Sequence, residues 1–141
     1  MIPKLNPRDA SYVLKNGGTA IYPTEGIYGL GCDPFNQKSV ENIFKAKGRS
    51  KNKSFIILGS DIKYFHNIID NTYFMDESLQ SKSFTTWVVP SNENCPPWLK
   101  KNDTVAIRLT RHETVKLLCD YMNAPIISTS ANLSNSQYDL S

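Results

Sequence analysis

The sequence predicts an α/β domain, and three observations predict it. Short apolar runs alternate with helix-like stretches. Glycine, proline and asparagine punctuate the joints between them. The 141 residues, 40% hydrophobic and 21% charged, suit one core and leave no room for a second domain. No internal repeat or low-complexity segment interrupts the pattern, so residues 1–141 read as a single domain with a flexible tail at 133–141.

Each element has a local cause. Asn6 followed by Pro7 is an N-cap and first-turn pair, Ala10, Val13 and Leu14 share a helical face, and Gly17-Gly18 supplies a stop, predicting a first helix of about ten residues. Thr19-Ala20-Ile21-Tyr22 is β-prone and ends at Pro23, which has no N–H for a ladder, so a loop is expected from Thr24. Val40, Ile43 and Phe44 share the face of a second helix, with Lys45 and Lys47 where cations suit its dipole. Phe55-Ile56-Ile57-Leu58 reads as a buried strand, after which Ser60 or Asp61 can cap a helix with Ile62, Phe65 and Ile69 inward. A helical stretch is read from Thr72 to Gln80, then a strand Thr85-Thr86-Trp87-Val88-Val89 stopped by Pro90, then a loop at Pro96-Pro97. Val105-Ala106-Ile107-Arg108-Leu109 is another strand, Val115, Leu118, Cys119 and Met122 mark an amphipathic helix, and Ile126-Ile127 forms a last short strand.

Composition excludes several classes. No apolar run reaches the roughly 18 residues of a membrane span, and Met1-Ile2-Pro3-Lys4-Leu5-Asn6 lacks the apolar stretch of a signal peptide, which points to a soluble, cytoplasmic protein without a membrane partner. Cys32, Cys95 and Cys119 are odd in number and lack a C-x-x-C spacing, arguing against a disulfide framework or a zinc site. His66 and His112 have no neighbouring ligand pattern and read as surface or packing residues. The net charge of +3 is too mild by itself to indicate a nucleic-acid binder.

Three polar clusters remain, each with a bland reading beside a functional one. Pro23-Thr24-Glu25-Gly26-Ile27-Tyr28-Gly29-Leu30-Gly31-Cys32-Asp33 lets the backbone approach a ligand while Thr24 offers a hydroxyl, or is a glycine-rich turn that only reverses the chain. It matches neither a phosphate loop nor a dinucleotide fingerprint. Lys45, Lys47, Arg49, Lys51 and Lys53 form a basic run with no acid from Ala46 through Lys53. Lys47, Arg49 and Lys53 could hold a triphosphate, the run could contact RNA phosphates, or it is a solvated turn. Ser128-Thr129-Ser130-Ala131-Asn132 follows an apolar pair and could hydrogen-bond a ribose, phosphate or carboxylate, or satisfy its own backbone as a turn. Without a G-x-S-x-G elbow or a placed histidine it reads as a binding segment and not a nucleophile. Arg108, a cation among apolar strand neighbours, calls for an anionic partner, and a ligand carboxylate qualifies.

In this order the clusters resemble the YrdC/Sua5 family of threonylcarbamoyl-AMP synthases, in its shorter single-domain bacterial form. The residues that carry the resemblance are Ala20-Ile21-Tyr22-Pro23-Thr24-Glu25 with Tyr28-Gly29-Leu30-Gly31, Lys47-Gly48-Arg49, Val105-Ala106-Ile107-Arg108, and Ser128-Thr129-Ser130-Ala131-Asn132-Leu133-Ser134, spanning about Gly18 to Ser134. The resemblance implies a YrdC/RibB-like twisted mixed sheet with helices on its faces and a basic cavity. It also implies synthesis of threonylcarbamoyl-AMP and pyrophosphate from L-threonine, bicarbonate and ATP, for the t6A modification of tRNA by partner proteins of that pathway. Mg²⁺ would accompany the ATP without assigned protein ligands. Carried over by residue, Lys47, Arg49, Lys53, Thr104, Ser130 and Asn132 would bind ATP, and Thr24, Arg108 and Ser128 would bind threonine, with Arg108 on its carboxylate. In-line attack of a carboxylated threonine on the α-phosphorus needs positioning and charge neutralisation, and no enzyme nucleophile. Glu25 is left without a role between local base and backbone cap.

The sequence departs from the family at several places. Ser81-Lys82-Ser83-Phe84 stands where the family has Trp-Pro-Gly-Pro, Gly26 where a Thr is commoner, and Ser54 where a Pro or Gly is commoner. The chain ends at Ser141, and Tyr138-Asp139-Leu140 does not reproduce the family's Pro/Ser/Thr segment, so an enzyme impaired by a short C-terminus is expected. The alternative expectation is a non-catalytic module binding tRNA or double-stranded RNA through the basic run, and a weaker one is a nucleotide hydrolase.

Overall fold

A computed structural model describes residues 6–23, 28–46, 55–70 and 86–130. Helix α1 (Pro7–Lys15) starts where the Asn6 side chain accepts a hydrogen bond from the Asp9 amide at 2.8 Å. It ends at Gly17, whose φ of +87° is a left-handed value that glycine adopts without steric cost. Strands β1 (Thr19–Pro23) and β2 (Tyr28–Cys32) pair antiparallel, with Ala20 opposite Gly31. Helix α2 (Gln37–Ala46) is capped by Asn36, which accepts from the Ser39 amide. Next come β3 (Ile56–Gly59), β4 (Trp87–Pro90) and β5 (Thr104–Leu109). Helix α3 (Glu113–Met122) opens with His112 Nδ1 accepting from the Thr114 amide and closes on Asn123 at φ +53°. Strand β6 (Ile126–Ser130) completes one mixed sheet in the order β1-β2-β6-β3-β5-β4, in which only β3 and β5 run parallel.

The alternation of side chains divides the residues between two faces. Ile57, Ile107, Ile127 and Cys32 point to one face, where Val40, Ile43, Phe65, Ile68 and Leu99 complete the larger core. On the opposite face Ala20, Leu58 and Ile126 pack with Ala10 and Leu14 of α1 and Val115, Leu118, Cys119 and Met122 of α3. That face is sealed only in part. Its remaining positions, Thr104, Ala106, Arg108 and Ser128, are half-buried, and Val88 is 70% exposed.

Four expectations are corrected. Residues 28–32 of the glycine-rich cluster are a strand, held by β1 on one side and β6 on the other, so pairing overrides the poor β propensity of Gly29 and Gly31. The helix expected after Asp61 is a single 3₁₀ turn (Ile62–Phe65). Asp61 does cap it, but the chain is then drawn to the β4 edge, where Ile69 bridges Ser91 and the Asn92 amide donates to the Ile68 carbonyl. The Pro96-Pro97 loop contains a 3₁₀ turn at Pro97–Leu99, fixed by Trp98 Nε1 donating to the Pro34 carbonyl at 2.8 Å. The last strand reaches Ser130, so Ser128 and Ser130 belong to β6 and not to a turn. The helical stretch at 72–80 and the tail at 133–141 lie outside the described residues. No helix among the described residues is long and apolar enough to cross a membrane.

Candidate functional site

Register assembles the site from distant parts of the chain. Ser128 on β6 pairs with Gly31 of β2 and Ile56 of β3, while Arg108 on β5 pairs with Leu58 of β3. Ile56 and Leu58 are two residues apart, so Ser128 and Arg108 share a face. Two strand spacings and one two-residue step put their Cα atoms about 12 Å apart. Thr104 lies on the same face, four residues and about 13 Å along β5 from Arg108. Ser130, paired with Gly29, ends β6 two residues beyond Ser128. These positions border the half of the face that α1 and α3 leave open.

Arg108 carries the distinctive electrostatics. Its Nε and Nη2 donate to Thr86 Oγ1 at 3.1 and 2.7 Å, and among the described residues no carboxylate pairs with it. The cation expected to need an anion is therefore held by a neutral hydroxyl. Thr104 closes the turn at Asn102 and Asp103, both with left-handed φ. Its Oγ1 donates to the Lys101 carbonyl at 2.7 Å, and lone pairs remain on that oxygen for another donor. Ser128 is half-buried, and no described residue accepts from or donates to its hydroxyl. Thr24, Lys47, Arg49, Lys53 and Asn132 lie outside the described residues, as does Glu25. The residue that sequence reasoning missed is Thr86, and the signal was weak because its place opposite Arg108 depends on a register set across the long connection from Pro90 to Thr104.

Cys32, Cys95 and Cys119 are free and buried. Burial pushes the Cys32 and Cys119 thiols up to about 12, with nearby Asp33 adding to the effect at Cys32, so both remain protonated and unreactive at neutral pH. His66 is exposed and His112 serves as a helix cap. Among the described residues no group of three or more His, Cys, Asp or Glu is placed to hold a metal ion.

Comparison with known proteins bears on the family and the fold. The sequence profile Sua5/yciO/yrdC, described as "Telomere recombination", matches residues 12–140. The threonylcarbamoyl-AMP synthase of Hydrogenovibrio crunogenus is 37% identical over 139 residues, covering 94% of this chain and 75% of the relative. That of Pseudoalteromonas translucida is 40% identical over 134 residues, covering 91% and 72%. The crystal structure of P. abyssi Sua5 complexed with L-threonine superposes with a TM-score of 0.80 at 27% identity, covering 96% of this chain. The chain spans 42% of that longer protein. With a family profile over nearly its whole length, relatives of this identity and the same mixed sheet, the chain belongs to the Sua5/YrdC family.

Proposed function

We propose that this protein is a threonylcarbamoyl-AMP synthase. The reaction joins L-threonine, bicarbonate and ATP: the threonine amine attacks the bicarbonate carbon and water leaves, giving a carbamate whose oxygen attacks the α-phosphorus and displaces pyrophosphate. The observation that carries the reading is Arg108, a half-buried guanidinium without a described carboxylate partner, on a sheet face left partly open in a family whose relatives bear that name. Arg108 receives the threonine carboxylate, and Ser128 and Thr24 serve the same substrate. Lys47, Arg49 and Lys53 meet the triphosphate, Thr104, Ser130 and Asn132 hold the rest of the nucleotide, and Mg²⁺ accompanying the ATP would offset phosphate charge. Such a site lowers the barrier by aligning reactants and offsetting negative charge on the transferred phosphorus. The product is a mixed anhydride of AMP, and a tRNA-modifying partner would consume it.

The test is incubation with ATP, labelled bicarbonate and threonine. Pyrophosphate and a labelled adenylate are expected only when all three are present. Pyrophosphate that forms without threonine would point to plain nucleotide hydrolysis and overturn the proposal, as would no product from folded protein.

A further inference from the structure

Thr86 stands outside every cluster that the sequence singled out, yet it makes the closest described contacts to Arg108. The β4–β5 register pairs Trp87 with Ile107, so the next position outward sets residue 86 opposite Arg108, with Leu58 on the other side. Thr86 Oγ1 accepts from Nε at 3.1 Å and from Nη2 at 2.7 Å. Both donors belong to the side edge of the guanidinium. Of its five N–H groups, the three that remain include the parallel pair on the outer edge formed by Nη1 and Nη2, the edge that matches the two oxygens of a carboxylate.

We propose that Thr86 is the positioning residue that presents the outer edge of Arg108 to the carboxylate of the amino-acid substrate. This rests on the threonylcarbamoyl-AMP synthase reading. A hydroxyl suits the task for an electrostatic reason. It satisfies two N–H groups of a half-buried cation without neutralising it, whereas an Asp or Glu at the same place would compete with the incoming carboxylate. Thr86 also fixes the rotamer of a long side chain before substrate arrives, so less ordering entropy is lost on binding. Thr86 touches no reacting atom, and its effect on turnover passes through Arg108.

The test compares wild type, Thr86→Val and Thr86→Ser by steady-state pyrophosphate release and thermal melting. Thr86→Val keeps the shape and removes the acceptor. It is expected to raise the KM for threonine about tenfold or more, the range for a hydrogen bond to a charged group, while the KM for ATP stays within about twofold. Thr86→Ser is expected to restore the wild-type KM for threonine. Direct titration supplies a second reading: wild type should prefer threonine to threoninamide, which lacks the carboxylate, and Thr86→Val should lose most of that preference. An active wild type with an unchanged KM for threonine in a folded Thr86→Val, or an equal rise for both substrates, would overturn the role of Thr86 alone. A wild type that makes no adenylate and binds no threonine would overturn the enzyme reading and this inference with it.

Discussion

Arg108→Ala separates the two substrates if the guanidinium serves the amino acid and not the nucleotide. The structure sets the size of the effect. The side chain is half-buried, its described partner is the neutral Thr86 hydroxyl, and no described carboxylate shares its charge, so most of the charge remains for a ligand. A bidentate guanidinium–carboxylate contact contains two charge-assisted hydrogen bonds of about 1.5–3 kcal/mol each. Taking the lower figure twice, loss of about 3 kcal/mol corresponds to a rise on the order of a hundredfold in the KM for threonine. The KM for ATP should move by no more than about threefold. Stability should fall by only about 1 kcal/mol, from lost packing of the aliphatic stem beside Leu58, because no buried ion pair is broken. Steady-state pyrophosphate release at fixed bicarbonate, with each of the other substrates varied in turn, measures both constants, and urea unfolding measures the third quantity. Equal rises in the two KM values would refute the assignment, as would a threonine KM that stays put in a folded variant.

Three further outcomes follow from the fold. Burial holds the Cys32 and Cys119 thiols at about 12 against an ordinary value of 9.0, so above pH 9 the unfolded chain releases protons that the native state keeps. Their contribution to stability is complete below about pH 9 and declines from there toward pH 12. At about 1.4 kcal/mol per pH unit for each thiol, these two should contribute about 2–3 kcal/mol less stability at pH 10 than at pH 8, and Cys119→Ala should reduce the loss seen by urea unfolding by about 1.4 kcal/mol. Gly59→Ala would set a Cβ 2.7 Å from Cζ of the fully buried Phe65, so overpacking should lower stability by about 1–3 kcal/mol; a shift in urea midpoint near zero would mean that the ring can yield. Asn6→Ala removes the acceptor for the Asp9 amide and should cost about 1 kcal/mol in the same assay, with Asn6→Asp close to neutral.

What the sequence disclosed and what it hid divide along the range of the interactions. α1 was legible to its cap because Asn6, Pro7 and Gly17 act within a few residues of where they stand. β5 and α3 were legible because the inward positions Val105, Ile107 and Leu109, and then Val115, Leu118, Cys119 and Met122, carry the periods of strand and helix. β2 was not, because Gly29 and Gly31 are poor strand formers and are held by partners about ten and a hundred residues away. The segment from Ile62 to Ile69 carries helical spacing, yet it leaves the helical path after one 3₁₀ turn for contacts with Ser91 and Asn92 that no local pattern announces. Of the candidate site, Arg108 and Ser128 were legible as chemical anomalies, a cation in an apolar strand and hydroxyls after an apolar pair. Thr86 carried no anomaly of its own.

The sheet order explains why those anomalies share one face. β6, the last of the described strands, enters between β2 and β3, and β5 lies parallel to β3, so Ser128 and Arg108 come to share one face although helix α3 separates them in sequence. α1 and α3 seal the part of that face built from Ala20, Leu58 and Ile126, where side chains are apolar, and stop where the polar positions begin. Had the helices extended over Arg108, its guanidinium would need a buried carboxylate, and desolvation would make that pair costly and leave no charge for a ligand. Had the face been wholly open, water would screen the charge and weaken its hold on a small acid. A half-covered face with a neutral hydroxyl on one edge of the guanidinium lies between these extremes, the condition under which one arginine stays compatible with folding and still attracts a carboxylate.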